Sequence, residues 1–165
     1  MFPFSDKFVP VNSYLRIGAL ASLAIVTFLL AFLVFPFEGL RMHFFQMGIF
    51  LASFIFGPVV GGAVGALSSS YNALLVVNNP WIIGGNAILG VAAGYLYTRT
   101  TPFKAALGAF AIQLPYVALT DIYLAGMPTA VVAMIAVTLL LENIACAFMA
   151  SRLAPHLRAL LAARS

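Results

Sequence analysis

Charge is what this chain most lacks. Only 7% of its 165 residues are Asp, Glu, Lys or Arg, and none of these four occurs between Met42 and Thr98. Soluble domains carry roughly a quarter charged residues. That scarcity, beside 64% hydrophobic residues, excludes a soluble fold and indicates an integral membrane protein. Cysteine is nearly absent as well. The single Cys146 rules out an intrachain disulfide and offers no metal-ligand spacing. There is no G-x-x-x-x-G-K-[ST], no H-E-x-x-H and no G-x-S-x-G, so the usual ATP cradle, zincin site and nucleophile elbow are all missing. No catalytic residue, metal or cofactor is expected, and the chain is expected not to be an enzyme. The net charge of +4 is too small for a nucleic-acid footprint, and no nucleic-acid partner is expected.

What the chain does have is long continuous apolar runs. A helix rises 1.5 Å per residue, so about 20 apolar residues cross the hydrocarbon core, whereas barrel strands alternate over about 10. The class expected is therefore all-α, a single membrane domain over residues 1–165. The first apolar segment is longer than a signal-peptide core and lacks a small-x-small cleavage pattern, so it is expected to stay as an anchor.

Breakers divide the chain. Pro36 and Glu38 close the first span, the Arg99–Lys104 stretch separates two later ones, and Gly126-Met127-Pro128 separates the last pair. Inside the charge-free run, Gly57-Pro58 and Asn79-Pro80 each suit a helix start, because proline fits the first helical position and restrains the residue before it. Six spans result, at about residues 14–35, 42–56, 58–77, 81–98, 103–120 and 129–150. Charge tests this count. With both termini cytoplasmic, Lys7, Arg16, Arg99, Lys104, Arg152, Arg158 and Arg164 all lie inside and only Arg41 lies outside, as the positive-inside rule requires. Three short connections, about residues 36–43, 78–81 and 121–128, then face outward. The expected location is a prokaryotic plasma membrane, with lipid as a partner.

Small residues four apart mark close helix contacts. Gly57, Gly61, Gly65 and Ser69 form one such stripe, and Gly90 and Gly94 another. Gly18, Ala21 and Ser22 on the first span suit packing against another subunit.

A polar side chain in hydrocarbon is costly unless paired, which makes several residues candidates for a site. Asn72 extends the glycine face of the third span beside Tyr71, Asn86 sits at similar depth in the fourth, and Gln113, Tyr116 and Thr120 share a face of the fifth, rising to Asp121 and Tyr123. Glu38, Arg41 and His43 cluster in the first outward connection, and Asn78 and Trp81 in the second. Asparagine, glutamine, tyrosine and tryptophan supply directional hydrogen bonds and stacking surface for a flat heterocycle, and Asp121 suits a cationic group. For Asn72, Asn86, Gln113 and Tyr116, hydrogen bonding between helices is an equal alternative. Pro115 frees the Ala111 carbonyl in mid-span. Glu142, counted along the last span, falls past the midpoint and is expected to lie too deep for an outward pocket.

The stretch "FGPVVGGAVGALSSSYNALL" (56–75) is similar to the Gly-Pro-x-x-Gly-rich third helix of the substrate-binding (S) subunits of energy-coupling factor (ECF) transporters, and "GNAILGVAAGYLY" (85–97) resembles the small-residue helix that follows it. The resemblance covers nearly the whole chain. It implies a non-enzymatic subunit that binds a vitamin or related micronutrient in an outward pocket, docks on a membrane coupling subunit with two cytoplasmic ATPases, and topples to release its load inward. The first-helix Ala-x-x-x-Ala at which such subunits dock is replaced here by Gly18-x-x-x-Ser22. Two other readings remain open from the residues alone. One is a stand-alone carrier or channel using Asp121 or Glu142; the other is a membrane enzyme or assembly factor resting on His43 with Glu38.

Overall fold

A computed structural model of the chain describes residues 8–11, 13–37 and 40–163. Among these, six α-helices follow one another: α1 (Tyr14–Leu30), α2 (Gln46–Phe56), α3 (Pro58–Tyr71), α4 (Trp81–Tyr97), α5 (Pro102–Leu119) and α6 (Thr129–Ala163). Their starts follow from local chemistry. Ser13 and Thr101 cap α1 and α5 by accepting from the backbone N–H three residues on, and Pro58 and Pro102 occupy first-turn positions where no N–H is needed. Gly57 joins α2 to α3 at φ +99°, a conformation that side chains rarely adopt. Counted with the π turns that end α3 and α5, the segments Pro58–Val76, Pro102–Leu124 and Thr129–Ala163 are long and apolar enough to cross a membrane, and α1, α2 and α4 are shorter apolar helices. The chain is a multi-pass helical membrane protein.

Two boundaries depart from the sequence expectation. α1 stops at Leu30, and residues expected to continue it pair instead as a hairpin, β1 (Val34–Phe37) with β2 (Leu40–His43), in the register Val34 opposite His43 and Pro36 opposite Arg41. Val34, Phe35 and Phe37 are strand formers. Proline is tolerated because a two-stranded ribbon has only edges. α6 continues beyond residue 150, through Pro155, to Ala163.

α4 lies between α3 and α5, and α2 packs against α3, α4 and α6. The two glycine stripes meet each other. A Cβ on Gly90 would fall on the carbonyl of Gly61, and one on Gly65 would fall on the carbonyl of Asn86. These helices therefore touch backbone to backbone, and Ser53 Oγ reaches across to donate to the Gly90 carbonyl at 2.9 Å. Beneath this contact lies an apolar core in which Ile49, Phe50, Phe54 and Ile55 of α2 pack with Ala105, Ala106 and Ala109 of α5 and Cys146, Ala147 and Ala150 of α6. α1 stands at the margin, packed against α2 and α3.

Candidate substrate-binding cavity

At one end of the bundle the helices stop in a repeated way. α3 ends in a π turn over Asn72–Val76, and α5 ends in another over Thr120–Leu124. In the first, Val77 N donates to Asn72 O and Asn79 N to Ala73 O; in the second, Ala125 N donates to Thr120 O and Met127 N to Asp121 O. A left-handed residue follows each turn, Asn78 at φ 53° and Gly126 at φ 68°, and a proline comes two residues later. Widened turns of this kind recur at functional sites because they re-aim side chains. Here they turn Asn72, Thr120 and Asp121 inward, where all three are buried.

These ends surround a cavity of about 510 Å³, within the range of about 300–1,000 Å³ usual for small-molecule sites. Its wall draws on α2, α4, α5 and α6, the two π turns and all three connections at this end, whereas α1 contributes no lining residue. Most of the wall is apolar, with Phe45, Val76, Ile82, Val117, Ile135 and Leu139 prominent. The polar groups fall into two networks.

The first centres on Glu142, only 2% exposed. One carboxylate oxygen accepts from the backbone N–H of His43 at 2.8 Å, and the other accepts from Gln46 Nε2 at 2.9 Å. Glu142 thus fixes the end of the hairpin and the start of α2 to α6. The second network joins the two repeated helix ends. Asn79 Nδ2 donates to Asp121 Oδ1 at 2.7 Å, while Asn79 Oδ1 accepts from Trp81 N at 3.2 Å. On the same wall lies Gln113, 2% exposed, whose Oε1 has no hydrogen-bond partner. A buried amide left unpartnered costs about 1–3 kcal/mol, so its presence on a cavity wall needs a reason.

Of the residues singled out in the sequence, His43, Asn72, Trp81, Asn86, Gln113 and Asp121 line the cavity. Asn72 and Asn86 also use their amides structurally, Asn72 donating to Ala31 O and Asn86 to Ile82 O, each at 3.1 Å. Four others lie off the wall. Tyr71 stacks on Phe32 with ring centroids 4.1 Å apart. The Tyr116 hydroxyl occupies the space a Gly84 Cβ would need. Asn78 is exposed in its turn, and Tyr123 is 75% exposed. Arg41 lies in β2 opposite Pro36, and Glu38 falls outside the described residues. Gly18, Ala21 and Ser22 are exposed on α1, where Gly18 has open space around its Cα.

Sequence reasoning missed four polar lining residues, Gln46, Asn79, Thr138 and Glu142, and misplaced the last of them. Glu142 is on the cavity wall, not beneath it. The expected depth assumed a shallow pocket, but α2 begins only at Gln46 and leaves the recess open down to the middle of α6. Thr138 and Glu142, four apart with Ile135 and Leu139 on the same face, were the available signal. Asn79 looked like turn punctuation beside Pro80, yet its side chain bridges two connections. Gln46 carried no signal beyond being polar in an apolar helix.

Fold and cavity together define a class: a helical multi-pass membrane protein with a deep recess at one end of its bundle. The same fold is found in a solved structure described as the S component of a bacterial ECF transporter, with a TM-score of 0.53 and 23% identity over 89% of this chain and 95% of that one. At this identity the likeness is one of fold. No protein-family model matches the chain, and no curated protein matches its sequence.

Proposed function

We propose that the chain is the substrate-binding subunit of an ECF-type importer for a vitamin or related micronutrient, a binding protein and not an enzyme. The observation that carries this reading is the recess itself, enclosed by three connections and by polar side chains that converge from different helices, in a chain with the S-component fold. The basic residues argue for six spans with both termini in the cytoplasm of a prokaryote, which opens the recess outward. Ligand contacts fall to His43, Gln46, Asn72, Asn79, Trp81, Asn86, Gln113, Asp121 and Glu142. Asn78 and Tyr123 stand at the rim.

Import then needs energy from elsewhere, because the chain lacks a phosphate cradle. A membrane coupling subunit with two cytoplasmic ATPases supplies it in this reading. The exposed face of α1 that carries Ile17, Gly18, Ala21, Ser22 and Ile25 is the docking surface. Small residues at its centre allow close approach of a partner helix. Docked, the subunit topples and releases its load inward.

A thermal-shift panel of water-soluble vitamins on the purified protein is the first test. At least one compound is expected to raise the melting temperature, and co-expressed coupling and ATPase subunits are expected to copurify. Uptake into liposomes by the lone chain, driven by a proton gradient without any ATPase, would overturn the reading in favour of a stand-alone carrier.

A further inference from the structure

The charge balance of the recess is one-sided. Two carboxyl groups, Asp121 and Glu142, lie on its wall with one imidazole, that of His43, and no lysine or arginine is among the described residues that line it. Their surroundings differ. Both oxygens of Glu142 accept hydrogen bonds from the protein, whereas Asp121 receives one, from Asn79, and only on Oδ1. Asp121 Oδ2 therefore retains its full accepting capacity.

The neutral groups lean the same way. The hydroxyl hydrogens of Thr120 and Thr138 are engaged by helix carbonyls, those of Tyr116 and Met134, at 2.9 Å each. What these threonines can still offer a ligand is oxygen. Asn72, Asn86 and Gln46 each commit an N–H to the protein, and Gln46 Oε1 and Gln113 Oε1 are buried with no donor to satisfy them. Both glutamines are almost wholly buried, at 1% and 2% exposure. Buried acceptors without donors are filled by whatever occupies the space. The carboxylate of an anionic ligand has no donor to give them and would face two carboxyl groups in a site of low dielectric.

We infer that the recess selects a positively charged ligand rich in N–H donors, an amine, amidine or aminated heterocycle, over carboxylate-bearing compounds, with Asp121 as its counter-charge and Gln113 and Gln46 as acceptors. This inference rests on the reading of the chain as a substrate-binding subunit and narrows the class of substrate. The apolar remainder of the wall, with Trp81 and Phe45, suits the ring of such a ligand.

Isothermal titration of the purified full chain with four probes tests it: thiamine as a cation bearing an amino-pyrimidine, riboflavin as a flat uncharged ring, and biotin and pantothenate as carboxylates. Thiamine is expected to bind at least tenfold tighter than the other three. Asp121→Asn keeps an oxygen for the Asn79 amide but removes the charge, and should weaken thiamine at least tenfold. Should that variant fail to fold, Glu142→Gln removes the other charge and should weaken thiamine too. Tighter binding of biotin, pantothenate or riboflavin than of thiamine would overturn the inference while leaving the substrate-binding reading intact. Folded protein that binds none of the four would overturn the inference and count against that reading as well.

Discussion

α1 and α2 are both short apolar helices, yet the fold uses them in opposite ways. Every residue of α2 except Met47 is buried, including Gln46 and Ser53. α1 buries only Arg16 and Thr27, and it shows Ile17, Ile25, Val26 and Leu29 more than half exposed. Hydropathy does not separate them, because lipid is as apolar as leucine and an exposed leucine in a membrane costs nothing. What separates them is what their polar atoms reach. Gln46 and Ser53 find partners on α6 and α4. Thr27 only folds back onto its own helix at Leu23 O. At 11 residues α2 is also shorter than the hydrocarbon core is thick, about 16 Å against about 30 Å, so this segment crosses only together with the residues that flank the helix. It is an internal strut, and its shortness is what gives the recess its depth.

The contrast can be broken most severely from the α2 side. Phe54→Ala removes a fully buried ring stacked on Phe50 and is expected to cost about 3–5 kcal/mol. Ile25→Ala on the open face of α1 should stay within about 0.5 kcal/mol. Denaturation of both variants in the same detergent measures the pair, and equal losses would erase the distinction. Glu142→Ala comes next. It strips the partners from the His43 N–H and the Gln46 amide, at about 1–3 kcal/mol for each buried group left unpaired. Faster hydrogen exchange should be confined to the hairpin and the first turn of α2.

Gly18→Leu sharpens the comparison in another way. Nothing lies within 4 Å of a Cβ at Gly18, so stability and ligand affinity should hold within about 0.5 kcal/mol. ATP-driven uptake with the coupling and ATPase subunits should fall nonetheless, and unchanged uptake would remove α1 as the docking face. The smallest effect is expected from Tyr123→Ala. Its ring is three-quarters exposed and off the cavity wall, so ligand affinity should change less than about twofold.

Much of the helical framework was legible. Pro58, Pro80, Pro102 and the charged break at Arg99 mark real helix starts and ends, and the glycine stripes mark close helix contacts, which α3 and α4 make with each other. The hairpin was not legible, because a four-residue run such as Val34–Phe37 inside a long apolar segment has the same composition as membrane helix. The site was half legible. Asn72, Asn86, Gln113 and Asp121 stand out because polar atoms in hydrocarbon demand an explanation. Glu142 stood out too, but its place could not be read, since depth along one helix says nothing about how far a neighbouring helix falls short. Tyr116 shares a helix face with the lining residues Gln113 and Thr120 and still packs away from the cavity, because a ring can lean against an adjacent helix.

The ties that complete the recess also set an order of assembly. His43 and Gln46 bond to a carboxylate 99 and 96 positions further along the chain, and Phe44 O accepts from Cys146, 102 positions away. At about 5–20 residues per second of synthesis, the hairpin and α2 wait roughly 5–20 s for the helix that fixes them. Through that interval Gln46 has no Glu142 to donate to, and the wall has only three of its four sides. A nascent chain stalled after α5 would hold Asn79, Gln113 and Asp121 yet have no recess to put them in. α6 is the helix that turns a set of polar side chains into an enclosure.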